Sequence, residues 1–209
     1  MKRRIMAVYR RLHAAHGPQH WWPGDSPFEI MVGAVLTQNT AWTNVEKAIA
    51  NLKAAKALSA EAIAAAPHRR LAAWLKPSGY FNIKAQRLRA FCQWLIRKGG
   101  TKRIARLPTA VLRAELLQVH GIGPETADDI LLYAFNRPVF VIDAYTRRLF
   151  QRLGLIPGDE KYEQLRQWFE AALVADVPLF NEFHALIVVH AKDVCRKRPL
   201  CDACKLGPL

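Results

Sequence analysis

The chain has 209 residues, 51% of them hydrophobic, enough to build a core as one large domain or two small lobes. Lys and Arg outnumber Asp and Glu by 31 to 17, a formal net charge of +14. A phosphate polymer is therefore the first partner to consider, although charge alone is equally compatible with a basic protein that has no such partner. The basic start Met1-Lys-Arg-Arg-Ile5 is not followed by the apolar stretch of a signal peptide, and no apolar run approaches the ~20 residues of a membrane span, so the chain reads as soluble and cytoplasmic.

Apolar residues recur at three and four nearly throughout, which predicts helices. Asp25-Ser26-Pro27 offers a cap for a first helix whose apolar face is Phe28, Met31, Val32, Val35 and Leu36. The Ala-rich stretch 54–66 reads as ordinary helix. Leu71, Trp74 and Leu75 form a second apolar face, and Leu88, Phe91, Cys92 and Leu95 a third. The segment from Lys84 to Arg106 also carries Arg87, Arg89, Arg97, Lys98, Lys102 and Arg103, with no acid among them. A solvated helix face normally mixes its signs, so this run suggests diffuse attraction to phosphate. Pro108-Thr109 offers another cap. Only Val139–Ile142 resembles a strand, and it is too short to make a sheet. A boundary near Arg137-Pro138 is expected, because the hairpin described next ends there.

The most informative stretch is Leu117-Gln-Val-His-Gly-Ile-Gly-Pro-Glu-Thr-Ala127, with Asp143 sixteen residues beyond Ala127. Gly121 and Gly123 flank Ile122 between two helix-like segments. Glycine permits positive φ and close backbone approach. A helix, a tight turn and a second helix leave the second helix's first amides, at its positive end, without intrahelical partners, and those suit a phosphate. A phosphate clamp followed by one carboxylate suggests chemistry on a nucleic acid.

Val119-His-Gly-Ile-Gly-Pro-Glu-Thr-Ala-Asp128 with Val141-Ile-Asp143 resembles the helix-hairpin-helix DNA glycosylases of the endonuclease III superfamily. Leu36-Thr-Gln-Asn-Thr40 matches that family's early helix, and the cysteine-rich tail resembles its iron–sulfur loop. Within the superfamily, Trp21-Trp22-Pro23, Val35–Thr40 with Trp42, and Pro77-Ser-Gly-Tyr-Phe-Asn82 followed by Lys84-Ala85 resemble the bacterial 3-methyladenine branch. The resemblance implies an all-α fold of two lobes. A six-helix barrel would span residues 25–137, residues 1–24 and 138–209 would form the second lobe, and the cleft between them would hold double-stranded DNA with one damaged nucleotide flipped out. It also implies a monomer.

The resemblance makes Asp143 the catalytic carboxylate. Breaking an N-glycosidic bond builds positive charge on the sugar; a carboxylate stabilises it and can orient or deprotonate the attacking water. Asp143 also reads as the N-cap of the helix that follows, and the two roles can coexist. In the lyase-competent branch, the position matching Glu125 is a lysine that attacks the sugar. A carboxylate cannot form a Schiff base, so a monofunctional enzyme using water is expected. Glu125 is equally a first-turn acid favoured by the helix dipole. Trp21, Trp22, Pro23 and Trp42, with Glu125, would line the base pocket, where a cationic methylated purine stacks well on electron-rich rings; read singly, each aromatic is an ordinary core residue. Gln38, a buried helix amide on the plain reading, would enter the gap left by the flipped nucleotide. Gly121, Ile122, Gly123 and Thr126 would contact phosphate, as would Lys84, Arg196 and Arg198. His190 and Lys192 receive no catalytic role.

The tail reads Cys195-x5-Cys201-x2-Cys204, against a family loop resembling Cys-x6-Cys-x2-Cys-x5-Cys. A [4Fe–4S] cluster takes four thiolates, and the fourth would fall at the position after Leu209. Zinc held by the three cysteines and His190, or no metal, are the alternatives. Two rival functions remain at this point: a glycosylase for damaged or mismatched pyrimidines, which the Trp21-Trp22-Pro23/Trp42 set argues against, and a non-catalytic helix-hairpin-helix DNA-binding module, which would need neither Asp143 nor that set.

Overall fold

A computed structural model describes residues 2–21 and 24–207. The helices, in chain order, are α1 (Lys2–His16), α2 (Pro27–Leu36), α3 (Trp42–Ala54), α4 (Ala60–Ala65), α5 (His68–Leu75), α6 (Phe81–Arg97), α7 (Thr101–Ile104), α8 (Thr109–Leu117), α9 (Pro124–Asp129), α10 (Ala144–Arg152), α11 (Tyr162–Ala172) and α12 (Val177–Asp193). Among the described residues there is no strand, so the fold is all-α. No helix among them is long and apolar enough to cross a membrane. The chain divides into a central unit, Pro23–Phe135, and a terminal unit made from both ends, Met1–Trp22 with Asn136–Leu209.

In the central unit α2 packs against α3, α6 and α9, and α6 packs against α4 and α5. Ser26 caps α2, its hydroxyl accepting from the Glu29 amide at 3.2 Å, and Pro27 opens the first turn. The sequence suggests one apolar face on α2, but every residue from Glu29 to Leu36 is buried. A helix surrounded on all sides has no solvent face to keep polar. The Ala-rich stretch is not one helix: α3 stops at Ala54, Lys56 adopts a left-handed φ of 51°, and Ser59 caps α4 through the Ala62 amide. Ser competes for backbone amides and so starts a helix better than it continues one. Beyond α9 the helix widens into a π-helical turn, Ile130–Ala134, all of it buried.

The hairpin's two helices are locked by an ion pair. Arg113 on α8 meets Asp128 on α9 through two bonds, Nε–Oδ1 at 2.6 Å and Nη2–Oδ2 at 3.0 Å, with the Asp128 side chain fully buried. Two parallel bonds fix angle as well as distance.

In the terminal unit α12 packs against α1 and α10, over a cluster of rings. Phe140 stacks on Phe169 at 4.5 Å and meets Phe180 and Phe183 edge-on. Val139–Ile142, strand-like by composition, runs without a ladder. Its amides go to α11 side chains instead: Phe140 N donates to Glu170 at 3.0 Å and Ile142 N to the Tyr162 hydroxyl at 3.4 Å. Buried amides need partners, and here side chains supply what a neighbouring strand would. Arg148 closes the far end of α12, donating to the carbonyls of Ala191 and Cys195, both at 2.9 Å.

Removing one partner of the buried pair strands the other charge. Asp128→Ala should therefore cost about 3 kcal/mol or more in denaturant unfolding, and Arg113→Met combined with Asp128→Leu should recover much of that loss.

Candidate functional site

The carboxylate of Asp143 sits at the junction between the extended segment and α10. Its backbone is extended (φ −95°, ψ 179°), as an N-cap requires. Oδ1 accepts from both the amide of Thr146, at 2.7 Å, and its hydroxyl, at 2.8 Å. Oδ2 lies 3.5 Å from Nε2 of His184, with the Asp143 side chain 12% exposed. Burial alone would raise the acid's pKa. The contact with His184 and the two bonds from Thr146 outweigh it and hold Asp143 below the usual carboxylate range. The result is a carboxylate ionised at neutral pH, with one oxygen committed to the fold.

Trp21 packs in the same unit, its ring stacked on His184 at 5.9 Å and 17°. Trp22 and Pro23 lie outside the described residues. Trp42 belongs to the central unit, where it covers the backbone of α2; a Cβ at Gly33 would stand 2.9 Å from the Trp42 ring. Glu125 is exposed in the first turn of α9.

The hairpin is a turn of tightly used atoms. Gly121 has φ +86°, and a Cβ there would fall 2.2 Å from Cγ of Arg87, so the stem of Arg87 fills the space a side chain would need. Gly123 is extended, exposed and opens onto clear space. Ile122 is buried. Gln38, in the turn after α2, ties this turn down: its Nε2 donates to the Gly121 carbonyl and the Thr126 hydroxyl, both at 3.0 Å, and its Oε1 accepts from Arg87. Thr126 is itself buried. Gln38 therefore braces the hairpin in this structure. The sequence offers Gln38 as a helix amide or, by resemblance, as a residue for the gap left by a flipped nucleotide; its bond to Gly121, 83 positions away, is visible only in the fold.

Lys84 departs from its expected place on the surface. Counted among surface cations by its place in the basic run, it is only 1% exposed. Its ammonium donates inward to the carbonyls of Leu36, at 2.8 Å, and Ser78. Burial, then the nearby Arg87 charge, lowers its pKa to about 8. Those carbonyls lie at a helix end and in a tight turn, and the bonds to them offset part of the loss of water. Arg196 and Arg198 are exposed, in keeping with surface cations.

The cysteines do not converge. Cys195 is buried with Sγ 3.4 Å from Arg152, Cys201 is exposed, and Cys204 Sγ lies 3.6 Å from His190 Nε2. Among the described residues no three His, Cys, Asp or Glu side chains are placed to hold a metal. The described thiols therefore do not form a cradle for an iron–sulfur cluster. Cys92 is a core residue, its thiol pushed up to about 12 by burial. Sequence reading passed over His184, which no local motif marks, because its contact with Asp143 is made across 41 positions of chain.

Residues 32–173 match the HhH-GPD superfamily of base excision DNA repair proteins, and the chain belongs to that family. It is 44% identical over 205 residues to the "Putative DNA repair glycosylase MJ1434" of Methanocaldococcus jannaschii, spanning 97% of this chain and 93% of that one. It is 29% identical over 181 residues to endonuclease III of Thermotoga maritima, covering 86% and 80% respectively. Among solved structures it resembles the H. pylori 3-methyladenine DNA glycosylase MagIII bound to 1,N6-ethenoadenine, with TM-score 0.76, 31% identity, and 91% and 96% of the two chains covered. A non-covalent endonuclease III–DNA complex shares the fold at TM-score 0.85 and 22% identity, covering 99% and 93%.

Gly121→Ala should both strain the backbone and displace Arg87 from Gln38. A loss of more than about 1 kcal/mol, read as a lower thermal midpoint by circular dichroism, is expected, whereas Gly123→Ala should be nearly neutral to stability.

Proposed function

We propose that this protein is a monofunctional DNA glycosylase that hydrolyses the N-glycosidic bond of alkylated purines in duplex DNA. The observation that carries the reading is Asp143, a carboxylate kept ionised, anchored by one oxygen and turned toward His184 with the other. As the bond to the base breaks, positive charge grows on the sugar, and a fixed negative group beside it lowers the barrier without having to reorganise. The same carboxylate orients the water that completes the reaction. A cationic alkylated purine is already a good leaving group that needs little acid catalysis at the base, which suits a chain offering aromatic rings. The 31% identity to MagIII over 91% of the chain supports the alkylpurine class.

Glu125 supports hydrolysis over lyase chemistry, because the hairpin's first turn presents a carboxylate where attack on the sugar would need an amine. Lys84 is no substitute: its amino group is turned inward onto two carbonyls. The exposed hairpin turn at Gly123 and the cations Arg196 and Arg198 supply phosphate contacts, which position the duplex without reading its sequence.

The deciding experiment is incubation with duplexes that each carry one defined lesion, followed by detection of free base. Release of alkylated purine, leaving an abasic strand that breaks only on heating with alkali, is the expected result. Release of damaged or mismatched pyrimidine instead would favour the second glycosylase reading, and binding without release of any base would leave a DNA-binding module. Asp143→Asn keeps an N-cap, so the fold should persist while base release falls on the order of 10²–10³-fold or more and lesion binding is retained. Borohydride should trap no covalent protein–DNA adduct; a trapped adduct would contradict the water mechanism.

A further inference from the structure

His184 is 5% exposed on α12, the helix that Phe183 and Phe180 fix against Phe140. One face of its imidazole is covered by the stacked ring of Trp21, and its Nε2 points at the one Asp143 oxygen that Thr146 does not hold. A carboxylate anchored through Oδ1 alone can still swing its second oxygen. At 3.5 Å the approach of His184 is longer than an ordinary hydrogen bond and restrains that swing as a close polar contact. A carboxylate oxygen has capacity for two donors, so one weak N–H contact leaves Oδ2 able to face a sugar or a water.

We infer that His184 is a positioning residue for Asp143, with Trp21 holding the imidazole in plane, so that the reactive oxygen is aimed before substrate arrives. The inference rests on the glycosylase reading of Asp143 and gives Trp21 a task beyond lining a base pocket. The competing account is that His184 merely fills the core, and the two differ in what substitution does to chemistry as opposed to binding. Misaiming a catalytic group costs rate, whereas lost packing alone lowers stability.

The test compares wild type, His184→Leu, His184→Gln and Trp21→Ala by single-turnover base release and by affinity for undamaged duplex. His184→Leu should slow base release by about 10-fold or more while affinity stays within about twofold. His184→Gln, which keeps an N–H donor, should recover most of the rate, and Trp21→Ala should show a smaller loss in the same direction. In an Asp143→Asn background, His184→Leu should cost nothing further, because the carboxylate it aims is gone. A wild-type rate in folded His184→Leu, an equal loss in His184→Gln, or a full additional loss in the Asp143→Asn background would each overturn the inference. A second readout needs no turnover. The Asp143 carboxyl, followed by its carbon-13 shift, should titrate at higher pH in His184→Leu than in wild type or His184→Gln; no change would also overturn it. Wild-type protein that releases no base yet shows this titration shift would sink the glycosylase reading and leave the His184–Asp143 contact standing.

Discussion

The terminal unit is organised around the division of labour between the two oxygens of Asp143. One is spent on structure, closing the first turn of α10 through Thr146. The other is kept in a nearly dry setting beside an imidazole. Everything nearby serves that arrangement. The irregular segment leading to Asp143 delivers the residue in the φ/ψ that a cap needs, α11 supplies side chains to satisfy the segment's amides, and the ring cluster under α12 sets where His184 can stand. A carboxylate placed only by a loop would drift; this one is held by the helix start that it caps.

The central unit solves a different problem, which is to present a backbone turn rigidly without filling it. The two glycines of the turn carry no side chain of their own, so the rigidity comes from behind. Gln38 grips the carbonyl of Gly121 and the hydroxyl of Thr126, Arg87 lies across the glycine, and Arg113 with Asp128 sets the angle of the two helices. The exposed glycine at 123 is left as the open part of the turn.

Much of this was legible in the chain itself. The Gly-x-Gly spacing, the cap at Ser26 and the cap at Asp143 are local signals, and local signals survive folding because they concern residues three or four positions apart. What could not be read depended on distant partners. Lys84 looks like its basic neighbours until the carbonyls of Leu36 and Ser78 are seen to converge on it. Val139–Ile142 has strand composition, but composition reports burial, and burial is achieved here against helices. His184 sits within an apolar helix where a histidine is ordinarily a packing residue, and only the fold shows that Asp143 faces it. The three cysteines resemble a ligand set in spacing, yet their side chains are directed to Arg152, to solvent and to His190.

The inward-turned ammonium of Lys84 has a mechanical consequence. Leu36 is two residues before Gln38, which braces the hairpin, and Ser78 is two residues before Tyr80, a ring 68% exposed on a left-handed backbone with φ +44°. One charged group thus bolts together the roots of two separate turns. Neither turn can shift far without stretching a bond to the same nitrogen, so the brace of the hairpin and the protruding ring behave as parts of a single stiff bracket, and a force applied to one is felt at the other.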